Sequence, residues 1–178
     1  MRKLLLKSLL QSPLTEPASA GDDALAQLAV SLQRATRRRL GRSLSIREVD
    51  AGSCNGCELE IHALGNAYYD LERFGLRFVA SPRHADVLMV TGPVTKNMRQ
   101  ALERTYAATP DPKWVVAIGD CAGNCGVFAG SYALVGPVSA VIPVDLEVPG
   151  CPPTPMAMLN GLLALLERAG KGEAAVPR

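Results

Sequence analysis

The sequence lacks several features that define whole classes of protein. Its five cysteines are odd in number and sparse, so a disulfide framework explains them poorly and a reducing compartment explains them better. No segment approaches the ~20 consecutive apolar residues of a membrane-spanning helix. Lys7 interrupts the apolar run near the amino terminus, and no pair of arginines precedes that run, which argues against a secretory signal. We therefore expect a soluble or peripheral protein on the cytoplasmic side of the cell membrane.

Aromatic residues make up only 4% of the chain, and none lies in its basic amino-terminal part. Residues 1–47 carry nine Lys/Arg against three Asp/Glu, whereas residues 48–178 carry ten against fourteen. Without aromatic side chains to stack on bases, this basic part is a poor match for nucleic acid. An anionic membrane surface or an acidic partner is the better match.

The length of 178 residues and the hydrophobic fraction of 48% fit one folded domain with flanking segments. We divide the chain into a helical extension with a linker over 1–43, an α/β domain over 44–170 and a flexible tail over 171–178. Residues 1–11 place leucines on one helical face and lysines on the other. This pattern is typical of a frayed terminus or of an amphipathic helix that docks on a membrane or a membrane subunit.

A second helix is predicted in the extension, from Asp22 to about Leu40. Four arginines crowd its last turns: Arg34, Arg37, Arg38 and Arg39. Cations at the end of a helix interact favourably with the helix dipole, so a capping role explains them as well as partner binding does.

The remaining chain alternates between strand and helix patterns. Strands are predicted at 44–49, 76–80, 87–90 and 114–118, with a weaker one at 138–144, and helices at 58–74, 95–108 and 156–168. This alternation predicts a doubly wound parallel sheet with helices on both faces. In such a sheet the loops that follow strands meet at the carboxyl edge, where ligands bind.

Four cysteines lie in glycine-rich loops that each follow a predicted strand. Cys54 and Cys57 form a CxxC pair, and Cys121 and Cys151 stand alone in later loops. Four thiolates can hold either zinc or a 4Fe-4S cluster. Structural zinc sites usually use two close pairs, and glycines beside the ligands suit a bulkier cluster whose sulfides accept backbone N–H bonds. A thioredoxin-like CxxC would leave Cys121 and Cys151 unexplained, so the spacing favours an iron–sulfur cluster and leaves zinc open.

Five motifs in a fixed order carry a resemblance to a known family. They are Ser53-Cys54-Asn55-Gly56-Cys57-Glu58, Ser81-Pro82-Arg83-His84-Ala85-Asp86, Thr91-Gly92-Pro93-Val94-Thr95, Gly119-Asp120-Cys121 and Pro149-Gly150-Cys151-Pro152-Pro153. Over roughly residues 44–168 the chain resembles the small subunit of complex-I-related, membrane-bound nickel–iron hydrogenases, the group that includes formate hydrogenlyase and hydrogenase-4.

The resemblance implies a flavodoxin-like fold and one 4Fe-4S cluster held by Cys54, Cys57, Cys121 and Cys151. It implies an oxidoreductase subunit that transfers electrons between the active site of a large partner subunit and a ferredoxin-like subunit, with residues 1–11 available to contact the membrane arm. The spaced CxxC favours a hydrogenase over the runner-up, the quinone-reducing subunit of a complex-I-like dehydrogenase, whose homologue has two adjacent cysteines. A zinc-stabilised interaction module is the alternative from another class.

Four further residues are interpreted together with the resemblance. Cys125 departs from the family pattern, in which a small residue is usual, and we interpret it as a small buried hydrophobe without a ligand role. Arg83 and His84 are expected to contact the large subunit. Glu58 fits either a role beside the cluster or an ordinary favourable interaction with the helix dipole.

Overall fold

A five-stranded parallel sheet forms the centre of the computed structural model, which describes residues 22–170. The predicted amphipathic segment 1–11, the predicted linker 12–21 and the tail 171–178 lie outside the described residues. The helices are α1 (Asp22–Leu40), α2 (Gly56–Ala63), α3 (Arg99–Ala108), α4 (Asp120–Asn124) and α5 (Pro155–Gly170). The strands are β1 (Leu44–Asp50), β2 (Leu76–Phe78), β3 (Val87–Thr91), β4 (Val94–Thr95), β5 (Trp114–Ile118), β6 (Leu134–Gly136) and β7 (Leu146–Val148). None of the helices described is long and apolar enough to cross a membrane.

The main sheet has the strand order β2-β1-β3-β5-β7, and every neighbouring pair in it is parallel. Numbered by their order in the chain, these five strands read 2-1-3-4-5, which is the flavodoxin-like order. The short strands β4 and β6 form a separate antiparallel pair. The predicted doubly wound α/β fold is therefore confirmed, and its topological switch point lies between β1 and β3.

Two hydrophobic cores cover the two faces of the sheet. Successive residues of a strand point to opposite faces, so Met89 and Leu88 of β3 enter different cores, and both are fully buried. One core lies under α1, α2 and α5, and the other lies under α3 and α4. α1 contributes Leu25, Leu28 and Leu32 to the first core, so the described part of the predicted extension packs against the sheet domain.

The helix predicted over 58–74 is shorter in the structure. α2 ends at Ala63, and a separate 3-10 helix occupies Leu71–Phe74. The carboxamide oxygen of Asn66 accepts the N–H groups of Tyr68 (2.9 Å) and Tyr69 (3.0 Å), and this local turn competes with continued helix.

The prediction of a strand over 138–144 is wrong. Residues Val138–Ala140 form a 3-10 helix, and the fifth strand of the sheet is β7. Pro143 has no N–H to donate to a ladder, so pairing with β5 begins only at Asp145, whose N–H bonds to the carbonyl oxygen of Val115 at 2.9 Å. The loop of Cys151 still follows a strand.

Candidate metal centre

The three cysteine loops meet at the carboxyl edge of the sheet, as predicted from their positions after strands. Cys57 lies in the first turn of α2 after β1, Cys121 lies in α4 after β5, and Cys151 follows β7. Two hydrogen bonds tie the last two loops together: the N–H of Asp120 donates to the carbonyl oxygen of Gly150 (2.9 Å), and the N–H of Gly150 donates to the Asp120 carboxylate (2.8 Å).

The CxxC loop is held by the last residue of the strand before it. One carboxylate oxygen of Asp50 accepts the N–H groups of Gly52 (2.7 Å) and Ser53 (2.8 Å). Asn55 then takes a left-handed conformation, with φ of 71°, at the start of α2. This turn places Cys54 outside the helix and Cys57 within it, and Asn is one of the few side chains that accept this conformation readily.

Two glycines allow the cysteine sulfurs to lie against the backbone. A Cβ atom at Gly119, which has a φ of +87°, would lie 2.7 Å from the sulfur of Cys57. A Cβ at Gly126, with a φ of +46°, would lie 2.8 Å from the sulfur of Cys121. Only glycine fits both the conformation and the space at these positions. Because Gly119 follows β5 and Cys57 follows β1, this approach joins two loops that are distant in sequence.

The four predicted ligands differ in exposure and act on one another electrostatically. Cys54 and Cys151 are exposed, Cys57 is half-buried and Cys121 is buried. Burial, followed by smaller contributions from Glu58 and the other three cysteines, raises the pKa of the Cys57 thiol to about 12. Burial also raises the pKa of Cys121, with contributions from Cys151 and Cys54. Negative charge on these sulfurs is therefore unfavourable until a cation joins them.

No three Cys, His, Asp or Glu side chains of residues 22–170 are arranged to hold a single metal ion. The four predicted ligands lie in three loops that contact one another at this edge.

Cys125 ends α4 in a left-handed conformation, with a φ of 69°. It is buried, as expected of a small hydrophobe, and its N–H donates to the carbonyl oxygen of Cys121 at 2.9 Å. It is not among the main contributors to the raised pKa of Cys57 or of Cys121. That Cys125 has no ligand role stays a prediction.

Glu58 is enclosed next to the CxxC pair. Its side chain is buried, and neither carboxylate oxygen has a hydrogen-bond partner among the described residues. Burial raises the pKa of Glu48 on β1, and the nearby Glu58 raises it further. Glu48 also lines a cavity of about 310 Å³ with Arg47 and His62. Sequence reasoning missed Arg47 and Glu48, although two consecutive charged residues inside an apolar strand are a signal that could have found them.

Arg83 and His84 lie at the other end of the sheet. Their 3-10 helix, Pro82–His84, precedes β3, so it stands at the amino end of the strands, away from the cysteine loops. Both line a cavity of about 260 Å³ beside the pair formed by Arg42 and the buried Asp86, whose closest atoms are 2.6 Å apart. Their contact with a large subunit stays a prediction.

The differences among the thiols predict unequal alkylation of the metal-free chain. Iodoacetamide attacks the thiolate, and at pH 9 a thiol with a pKa of about 12 is ionised to only ~0.1%. We expect Cys57 to react at least about 100-fold more slowly than the exposed Cys54, and to gain speed only as the pH rises toward its pKa. Peptide mass mapping measures both rates, urea-unfolded chain is the control, and equal rates in the folded chain would contradict the described packing.

Comparison with known proteins identifies the family. Residues 54–165 match the family described as NADH ubiquinone oxidoreductase, 20 Kd subunit. The chain is 49% identical over 132 residues to the probable membrane-bound hydrogenase subunit mbhJ of Pyrococcus furiosus, covering 74% of this chain and 79% of that protein. It is 43% identical over 150 residues to formate hydrogenlyase subunit 7 of Escherichia coli K12, covering 83% of this chain but only 57% of that longer protein.

Comparison with solved structures supports the same fold. A chain of the membrane-bound sulfane sulfur reductase, an archaeal respiratory membrane complex, matches with a TM-score of 0.68 and 36% identity, over 81% of this chain and 78% of that one. A chain of an NAD+-reducing [NiFe]-hydrogenase matches with a TM-score of 0.56 at 20% identity, over 77% of this chain and 96% of that one, which bears on the fold alone. The predicted resemblance and the oxidoreductase class are confirmed: the chain belongs to the family of the NADH ubiquinone oxidoreductase 20 kDa subunit, as a relative of membrane-bound hydrogenase subunits.

Proposed function

We propose that this chain is the electron-transfer small subunit of a membrane-bound nickel–iron hydrogenase complex, and that Cys54, Cys57, Cys121 and Cys151 hold one 4Fe-4S cluster. The observation that supports this most is the meeting of the three cysteine loops at one edge of the sheet. Such a cluster supplies one-electron transfer when bound, at a potential set by its surroundings. The division into an extension, a cluster domain over 44–170 and a tail is part of the same proposal.

The residues at this edge fit a cluster by their chemistry. Four cysteine thiolates are the usual ligand set of a 4Fe-4S cluster. Gly119 and Gly126 leave no side chain between the backbone and the sulfurs of Cys57 and Cys121. The backbone N–H of Val127 donates a hydrogen bond to the sulfur of Cys121, the kind of contact that also supports a cluster. Burial raises the pKa of Cys57 and of Cys121, so a cationic centre would favour ionisation of these thiols.

The chain's own residues would hold the cluster at the protein surface. Cys121 and the half-buried Cys57 form the inner side of the site, and Cys54 and Cys151 form its exposed side. A centre held this way is open to a partner across Cys54 and Cys151, while the loop bonded through Asp50 keeps the outer cysteine in place.

Exposed apolar side chains near this edge support docking of a large subunit there. Leu59, two residues after Cys57, is 62% exposed, and Val127, two residues after Cys125, is 82% exposed. Exposed apolar residues that cluster around a site commonly mark an interface. We place the large subunit over this edge and propose a ferredoxin-like subunit as the second electron-transfer partner.

Placing a charge at Leu59 is expected to weaken that contact. Leu59→Glu should reduce copurification of the large subunit at least about tenfold, since interface anchors contribute roughly 2 kcal/mol or more. Val30→Glu is the matched control, because Val30 is also an exposed apolar residue, at 48%, but lies on α1. Iron content should stay unchanged in both variants. Full retention of the large subunit by Leu59→Glu would remove this edge from the interface.

In a second candidate function, the fold and the proposed cluster are the same, but the large partner subunit catalyses a different reaction. The family description and the 36% identity to a sulfane sulfur reductase chain favour a complex whose large subunit reduces a quinone or another acceptor. Nickel content and hydrogen-dependent reduction of a viologen dye by the purified complex separate the two. Nickel with hydrogen-dependent reduction supports the hydrogenase; a nickel-free complex without it supports the second candidate.

We also propose that the subunit is peripheral on the cytoplasmic side of the cell membrane. Its relatives include a probable membrane-bound hydrogenase subunit. Residues 1–11, with their leucines and lysines, are proposed to contact the membrane arm. Deletion of 1–11 should release the complex from membranes with its iron retained, and unchanged membrane association would remove the segment from the proposal.

A further inference from the structure

The second half of α1 presents an unpaired cluster of positive charge. Its four arginines, Arg34, Arg37, Arg38 and Arg39, are all exposed. Among residues 22–170, none of their guanidinium groups forms an ion pair with a carboxylate. Favourable interaction with the helix dipole falls off within the last turn, so it accounts for Arg37 to Arg39 better than for Arg34.

Three of these arginines line a groove between α1 and the end of α5. The groove has a volume of about 660 Å³ and is lined by Arg34, Arg38 and Arg39, with Leu166 at its buried side and Glu167 as its one carboxylate. Three cations against one anion leave a positive groove with an apolar wall. Guanidinium groups bind phosphate oxygens in bidentate fashion, which makes arginine the residue suited to such a site.

We propose that this groove binds the phosphate headgroup of an anionic phospholipid and that α1 thereby lies against the membrane. Helix α1 has no aromatic residue that could stack on a base, so the phosphates of nucleic acid fit less well. In an anionic phospholipid the phosphate matches the arginine rim, and the apolar part of the lipid next to it matches the wall at Leu166.

The sequence before α1 supports a lipid over an acidic protein. Residues 1–11 carry five leucines and three basic residues, a composition suited to a membrane interface. The ten residues 12–21 can span up to ~33 Å, which exceeds the ~26 Å along α1 from Asp22 to Arg39. Segment 1–11 and the arginine groove can therefore reach the same surface, and two weak membrane signals together give stable attachment where one does not.

The groove is separate from the candidate metal centre. The N–H of Gly41, just after α1, donates to the carbonyl oxygen of Arg37 at 3.0 Å, and β1 begins at Leu44, so the arginines stand at the amino end of the strands. The cysteine loops follow the carboxyl ends. Lipid binding and iron content can therefore be tested independently, and failure of one leaves the other standing.

The test uses the full chain and vesicles of two compositions: phosphatidylcholine alone, and equal parts phosphatidylcholine and phosphatidylglycerol. The variant R34Q/R38Q/R39Q should bind the anionic vesicles about 100-fold more weakly than the unmodified chain at low ionic strength, since each arginine near such a surface contributes about fivefold. The matched control K96Q/R99Q/R104Q removes three exposed charges around α3 and should bind as the unmodified chain does. Circular dichroism melts verify that each variant is folded.

Each outcome of this experiment either supports or contradicts the proposal. Binding that needs phosphatidylglycerol, weakens with salt and is lost only in R34Q/R38Q/R39Q supports it. A chain lacking residues 1–11 should bind more weakly but keep the same dependence on the arginines. Equal binding by the two triple variants would overturn the groove as the lipid site, and failure to bind vesicles together with retention on polyglutamate would assign it to an acidic protein segment instead.

Discussion

Cys121→Ser should lose or convert the cluster, whereas Cys125→Ser should leave iron content and the paramagnetic signal of the reduced state intact. Cys121 belongs with the three other predicted ligands, whose charges act on one another. Four thiolates complete a 4Fe-4S cluster, so a fifth has no coordination position. Cys125, four residues later and also buried, is the matched control for introducing serine into the same loop.

The paired design makes the result easy to interpret. Iron and sulfide analysis with electron paramagnetic resonance on anaerobically purified protein gives the cluster content of each variant. If Cys125→Ser lost the cluster and Cys121→Ser kept it, the third ligand would be Cys125 and the proposed ligand set would be wrong.

Gly119→Ala should also remove most of the bound iron although it alters no ligand. The added methyl group would lie 2.7 Å from the sulfur of Cys57, so that sulfur or the backbone after β5 must move. The positive φ of +87° adds strain of about 1 kcal/mol for a residue with a side chain. Displacement of one of the four proposed ligands is expected to perturb the site more than that backbone strain does.

Gly130→Ala is the control for the backbone strain alone, without a contact to a cysteine. Gly130 has a φ of +82°, close to that of Gly119, but a Cβ there would have no atom within 4 Å. This variant should lose about 1 kcal/mol of stability and keep its iron. Equal iron content in the two alanine variants would mean that the approach of Gly119 to Cys57 does not shape the site.

The sequence predicts the sheet well because the cores on its two faces demand continuous apolar strands. Val87 to Val90 and Trp114 to Ile118 are buried throughout, and their composition alone marks them as interior strands of a parallel sheet. The convergence of the cysteine loops follows from the same topology, since each loop leaves the carboxyl end of a strand. These inferences need only the pattern of apolar residues.

The errors arose where local side-chain chemistry or proline overrode an apolar pattern. Asn66 ends the run that would otherwise continue α2, through hydrogen bonds to the next turn. Pro143 excludes pairing in a segment that is apolar enough to be a strand. Contacts between loops distant in sequence, such as Gly119 against Cys57, and the enclosure of Glu58 depend on tertiary packing and carry no local signal.

The metal content of the anaerobically purified full chain distinguishes an iron–sulfur subunit from a zinc protein. We expect a brown protein with about four iron and four acid-labile sulfide per chain, and a broad thiolate-to-iron absorption that bleaches on reduction. A colourless chain that carries zinc and no sulfide would contradict it and would favour the zinc-stabilised interaction module.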